Sequence, residues 1–335
     1  MAGSRKKKSH VEENDFMGDI LQKMGCTAFM KAAQVWVDTK SYNCNKVIGS
    51  KKLGAAAGKM YEISGKKHSG KTSFVMFLAA LAQRYLDAFV LWVDVENSLS
   101  NESDEEGVFY NAWAAKFDLN MESRNFYRVY PKVLIRSRQR KKGKKVIGNA
   151  GEHFLQSAEF LFEEAETVMK AFKTKYPKRP IFMAVDSIAN LLTEMVTEDG
   201  NTNRNMRQNM DRSQWLSNET PKLLSYAGNY SAWVFLINQL RTNPTQQFGD
   251  NQYSPGGAAL GHNCHSQVRM RARKLKRKRG EEELIGISGI MVNTKNKVGG
   301  GSRAYQECEY KVDFRKRGRK MWKFSPHVKE EKTNE

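Results

Sequence analysis

The eight residues Gly65-Lys66-Lys67-His68-Ser69-Gly70-Lys71-Thr72 constrain this chain more than any other feature. They match G-x-x-x-x-G-K-[ST], a spacing that functions where a strand ends, the backbone turns tightly and a helix begins. Both flanks meet that requirement: Met60 to Ser64 reads as a short buried strand, and Lys71 to about Tyr85 as an apolar helix. Glycines let backbone N–H groups wrap a phosphate, and the helix N-terminus adds positive potential. Lys71 can then reach the outer phosphates while the Thr72 hydroxyl binds magnesium. The candidate nucleotide-binding residues run from Gly65 through Ser73, with ATP or GTP as ligand.

Such a loop needs a parallel sheet behind it. Phe89 to Val95 is a continuous apolar run, consistent with a strand buried on both faces, and Ile181 to Val185 and Ser231 to Ile237 are further apolar strands. Phe154, Ala158, Leu161, Ala165, Val168 and Phe172 step by 4, 3, 4, 3, 4, which predicts an amphipathic helix over 153–172. Strands alternating with helices predict an α/β fold with a mostly parallel central sheet flanked by helices. Beyond Gln239 the style changes. Residues 241 to 257 are polar and read as a mobile loop, and the Asn-rich stretch 195 to 207 reads as another. Val268 to Arg273 alternates apolar residues with Arg269, Arg271 and Arg273, and Leu284 to Val292 returns, predicting a β-hairpin extension.

Two acids sit where a nucleotide site needs them. Asp186 ends an apolar strand and can hold magnesium through water, with helix capping as its plainer use. Glu96 lies just past the strand carrying Asp94, at the nucleotide edge of the sheet, where it can orient and deprotonate an attacking water. Asp94 competes for that role from within the strand.

The formal charge of +20 is unevenly spread. Arg5 to Lys8, Lys132 to Lys145, Arg269 to Arg279 and Arg315 to Lys320 hold 25 of the 56 basic residues, leaving 31 against 36 acids in the body. Local basic patches point to a polyanion partner, nucleic acid first, over a merely solvated surface. The longest apolar run, Phe74 to Ala82, is half the roughly 18 residues that span a bilayer. Four dispersed cysteines and no apolar leader fit a reducing, cytoplasmic setting. His262, Cys264 and His265 are metal-ligand types, but no second pair lies nearby to complete a four-ligand zinc site. The expected organisation is a flexible basic tail (1–13), an N-terminal helical arm (14–50), a core (51–300) with a basic insertion at about 131–150, and a short C-terminal strand with a basic tail (301–335).

In this order, the residues resemble the RecA-type homologous recombinases, most closely the phage-encoded members. Tyr61 through Thr72 is similar to their phosphate loop, Trp92 to Glu96 to their second strand with its catalytic glutamate, and Ala184 to Ala189 to their Walker B strand. Phe235 to Gln239 resembles the strand whose glutamine senses the γ-phosphate. Gly256 and Gly257 resemble the end of the second DNA-binding loop, and Lys295-Asn296-Lys297 the lysines that reach the neighbouring subunit's nucleotide. Trp113 sits where the family places an aromatic against adenine.

The resemblance implies a RecA-like P-loop ATPase core and a DNA-dependent ATPase using ATP and Mg2+. It would form helical homo-oligomeric filaments on single-stranded DNA and exchange strands with double-stranded DNA, in the bacterial host cytoplasm if phage-encoded. Single-strand-binding and mediator proteins are the implied accessory partners. Arg204, Arg207 and Arg241 would contact DNA phosphates, Phe248 would wedge or stack against bases, and the Arg269, Arg271, Arg273 face would be a further DNA surface. A hexameric RecA-fold helicase and a non-catalytic DNA-binding filament mediator are the alternatives. Lys132 to Lys145 departs from the family pattern as an insertion, either a secondary DNA site or a disordered basic arm.

Overall fold

The computed structural model describes residues 35–99, 102–103, 109–110, 112–142, 145–155, 157–193, 204–242, 252–277, 283–299 and 304–326. The compact unit starts at Val35. Strand β1 (Trp36–Val37), helix α1 (Tyr42–Ile48) and strand β2 (Ala55–Ala56) open it, with β1 and β2 antiparallel. Val37, Cys44, Val47 and Ile48 are buried in the main core, so this part of the expected arm is structural. Residues 1–34 lie outside the described residues.

Next come β3 (Lys59–Gly65), α2 (Lys71–Leu86) and β4 (Phe89–Asp94). A two-residue pair follows, β5 (Glu102–Ser103) with β6 (Phe109–Tyr110), then α3 (Ala112–Lys116) and β7 (Phe126–Val129). The basic insertion is β8 (Val133–Lys142) and β9 (Lys145–Leu155), followed by α4 (Ala158–Lys175) and β10 (Ile181–Asp186). Helix α5 (Arg204–Tyr230) leads to β11 (Ala232–Gln239), the short antiparallel pair β12 (Arg241–Thr242) and β13 (Gln252–Tyr253), and α6 (Gly257–Asn263). Strands β14 (Ser266–Lys276), β15 (Leu284–Asn296), β16 (Glu307–Asp313) and β17 (Trp322–Phe324) complete it.

Nine strands form one sheet in the order β17-β16-β15-β14-β3-β11-β10-β4-β7. From β14 to β7 every pairing is parallel, and from β14 to β17 every pairing is antiparallel. The apolar runs give the parallel half two buried faces. Tyr61, Ile63, Trp92, Phe182 and Phe235 pack with α2 on one side; Met60, Leu91, Val93, Met183, Val185 and Leu236 pack with α4 and α5 on the other. This α/β architecture, with its hairpin extension, is the one the alternating pattern predicts.

Three local expectations change. The predicted helix over 153–172 starts later, at Ala158, because Ser157 accepts the Phe160 N–H and caps it, while His153 and Phe154 belong to β9. The Asn-rich loop is shorter than expected: Arg204 and Arg207 lie in the first turns of α5. Once Leu216, Leu223 and Ala227 nail that helix to the sheet, extending it N-terminally costs little per residue. On β14, Val268 and Met270 are buried as the alternation requires, but Ala272 is exposed, since the β14–β15 hairpin there runs past the core.

Candidate nucleotide site

The phosphate loop joins β3 to α2, and both glycines are needed. A Cβ at Gly65 would lie 2.5 Å from the Met270 carbonyl oxygen, and Gly70 adopts φ +83° as it starts the helix. Ser69 Oγ is buried without a hydrogen-bond partner inside this turn. Lys71 is 8% exposed and its Nζ donates to the Lys66 carbonyl at 2.8 Å. Burial lowers its pKa, opposed by the charges of Asp186 and Glu96.

Parallel pairing brings the carboxyl ends of four strands to this loop. Asp186 registers with Asp94 on one side and Ile237 on the other, and Gln239 registers with Gly65. The Thr72 hydroxyl donates to Asp186 Oδ2 at 2.8 Å. Burial, partly offset by that hydrogen bond and supplemented by the charges of Glu96 and Asp94, pushes the Asp186 carboxyl up to about 7. Glu96 Oε1 accepts from Gln239 Nε2 at 2.6 Å, Ser187 Oγ at 2.5 Å and Asn190 Nδ2 at 2.9 Å. Lys71, Thr72, Glu96, Asp186 and Gln239 therefore share one site.

Asp94 is engaged elsewhere. Fully buried, it accepts from the Ser98 N–H and hydroxyl, the Leu99 N–H and the Arg128 guanidinium, which closes the turn that presents Glu96. Asn190 and Arg128 belong to no motif, and Ser187 lies within the Walker B resemblance with no role assigned to it. The one sequence signal for Arg128 is a lone charge in the short strand Phe126-Tyr127-Arg128-Val129.

The donor set suits a hard cation. Magnesium commonly takes one or two protein oxygens and completes its shell with water and substrate phosphate. Thr72 Oγ1 and an Asp186 oxygen supply those, and the unpartnered Ser69 hydroxyl adds a third polar group at the loop. Among the described residues no cluster of three His, Cys, Asp or Glu side chains could hold a metal by itself. Cys264 is buried, and His265 Nδ1 lies 3.4 Å from the Met60 N–H.

Other expected site residues lie apart. Lys295 pairs with Gln267, which registers with Glu62, and Lys297 follows at the far end of β3. Glu62 is three residues, about 10 Å of strand, back from Gly65, and Lys297 lies further back still. Lys295 Nζ donates to the Gly261 and His262 carbonyls at the C-terminus of α6. Trp113, on α3, packs edge-on against Phe117 and Phe314 at 5.4 and 5.3 Å, with Lys116 over its ring. Gly256 and Gly257 start α6, and Arg241 is exposed on β12. Phe248 lies outside the described residues. Arg271 and Arg273 line a groove with Lys311 and Lys323, but Glu307 and Glu309 share it, so its charge is mixed.

A second polar cluster sits beneath the site. Glu62, 2% exposed, accepts from Asn238, Ser254 and Gln267, and Asn238 Nδ2 also lies 2.8 Å from Ser254 Oγ and 2.7 Å from the Pro255 carbonyl. Consecutive residues of β11 thus touch different things: Asn238 the returning end of the 241–257 segment, Gln239 the Glu96 carboxylate.

No helix among the described residues is long and apolar enough to cross a membrane. No family model matches the chain. Protein RecA of Rhodopirellula baltica is 23% identical over 264 residues, 78% of this chain and 56% of that protein. RecA of Limosilactobacillus reuteri is 23% identical over 306 residues, covering 91% and 68% of the two chains, and that of Rubrobacter xylanophilus 24% over 292, covering 87% and 69%. The chain thus spans little more than half of the first of these relatives. This distant similarity across most of the chain, on an α/β fold with a mostly parallel sheet, supports a RecA-like family for the protein.

Proposed function

We propose that the protein is a DNA-dependent ATPase that assembles as a helical filament on single-stranded DNA and carries out homologous pairing and strand exchange with duplex DNA, as a phage-encoded recombinase in its host's cytoplasm. The observation that carries this reading is the paired contact of Asn238 and Gln239: one holds the end of a candidate DNA loop, the next holds the candidate base. A γ-phosphate arriving near Glu96 competes for the Gln239 amide. The displacement is passed one residue along β11 to the loop anchor, an order–disorder coupling between nucleotide and DNA.

In the hydrolytic step Glu96 takes a proton from water as that water attacks the γ-phosphorus. Lys71 neutralises charge on the outer phosphate oxygens, and the phosphate leaves from ADP. Thr72 and Asp186 would hold Mg2+, whose charge would offset that of the phosphates when it is bound. Lys295 and Lys297, remote from their own chain's loop, are assigned to the nucleotide of a neighbouring protomer, and Trp113 to the adenine.

Electron microscopy with single-stranded DNA and a non-hydrolysable ATP analogue tests the reading. Continuous helical filaments are expected; closed rings would favour a hexameric helicase. Loss of ordered assembly in Lys71→Ala is expected as well, and unchanged filaments in that variant would remove the phosphate site from the mechanism.

A further inference from the structure

Tyr310 lies outside every motif, 3% exposed on β16, with its ring 5.7 Å from that of Trp322, which stacks in turn on Phe77 and Phe324. Packing alone would accept phenylalanine there. A buried hydroxyl needs a hydrogen-bond partner, and this one finds it 241 residues away in the chain. It donates to the Ser69 carbonyl of the phosphate loop at 2.6 Å. The Arg271 carbonyl on β14 lies 3.3 Å from the same hydroxyl, so one phenol ties the loop to the antiparallel half of the sheet. Burial pushes the phenol well above its usual range, which keeps it a donor at neutral pH.

The neighbouring strands make room for this reach. Gly289 of β15 registers with Tyr310 on one side and with Ala272 of β14 on the other. A Cβ at Gly289 would collide with the Arg271 carbonyl, so no side chain stands between Tyr310 and β14. The loop presses on the same strands from beyond: a Cβ at Gly70 would lie 2.7 Å from Ile287 Cδ1.

The hydrogen bond fixes a peptide plane. The Ser69 carbonyl and the Gly70 N–H belong to one trans peptide and point in opposite directions. With the carbonyl held on Tyr310, the N–H is turned away from it. Gly70 opens α2, where N–H groups have no partner within the helix, and a phosphate loop offers such groups to its anion. A flipped peptide would turn the carbonyl oxygen, the negative end of the dipole, toward that anion. We infer that Tyr310 is a positioning residue for nucleotide binding, whose hydroxyl holds the Ser69–Gly70 peptide with its N–H facing the phosphates. This rests on the reading of Gly65 to Thr72 as a nucleotide site, and adds to it a residue from the far side of the sheet.

The test is Tyr310→Phe in the full chain, titrated with Mg2+ and a non-hydrolysable ATP analogue and then assayed for hydrolysis. The Kd for the analogue and the KM for ATP should rise roughly three- to tenfold, the weight of one lost hydrogen bond. At saturating ATP kcat should hold, because Lys71, Glu96 and Gln239 are untouched. Phe324→Leu disturbs the same aromatic cluster and leaves the hydroxyl in place, so it should lower the melting temperature without changing Kd. Unchanged binding in Tyr310→Phe overturns the inference, and so does an equal loss in Phe324→Leu, which would reduce Tyr310 to a core residue. An unaltered chain that binds no nucleotide overturns the phosphate-site reading, and the inference with it. Hydrogen exchange on the unaltered chain needs no variant to fold: the Gly70 amide should gain protection when the analogue binds, and an amide that gains none overturns the inference alone.

Discussion

Arg128 Nη2 lies 2.7 Å from Asp94 Oδ2, in a pair whose side chains are 8% and 0% exposed. Arg128 also donates to Asn97 Oδ1, so one guanidinium spans the turn between Asp94 and Asn97 that carries Glu96. Arg128→Met leaves Asp94 buried without its cation and should cost about 3 kcal/mol of stability, measured by urea unfolding. In the folded fraction kcat should fall while KM for ATP holds. Arg128→Lys should restore charge but only part of kcat, because an ammonium cannot span both acceptors as a planar fork does. Unchanged kcat in both would show that the turn holds Glu96 without the clamp.

Glu96→Gln keeps the hydrogen-bonding shape and removes the base. Hydrolysis should drop by about 10² to 10⁴ with ATP binding retained, read by single-turnover hydrolysis alongside nucleotide titration. Near-normal turnover in that variant would move water activation to another group.

Asp186 sets a pH dependence. Its carboxyl is raised from 3.8 to about 7, so the folded state holds the proton more tightly than the unfolded chain does. Its contribution to stability is therefore largest in acid and is lost as pH rises from about 4 through about 7. Cation binding runs the opposite way, because it needs the ionised form. The Mg2+ requirement for nucleotide binding should grow below pH 7, approaching roughly tenfold per pH unit. Asp186→Asn should flatten both profiles, in thermal melts and in Mg2+ titrations respectively.

Asn238→Ala removes the amide shared by Glu62, Ser254 and Pro255. Leaving those buried acceptors short of a donor should cost about 1–3 kcal/mol. Basal ATP hydrolysis should persist while its stimulation by single-stranded DNA falls toward the basal rate. Retained stimulation would show that the loop is coupled by another route.

The sequence alone determined the strand–loop–helix at Gly65 to Thr72 and the α/β class, because a phosphate loop and doubly buried strands leave local signatures: glycines at fixed spacing and unbroken apolar runs. It also brought Glu96, Asp186 and Gln239 into view, each at or just past a strand end. Tertiary structure alone decided what those residues touch. Which strands become neighbours depends on long-range packing, so the Glu96–Gln239 contact, 143 residues apart in the chain, has no local signal. The same is true of Arg128 on Asp94, Asn238 on Pro255 and Lys295 on the end of α6. The basic insertion divided likewise. Its charge was plain in the composition, but only the long-range pairing of β8 with β9 decided that the run is an antiparallel ribbon apart from the nine-stranded sheet.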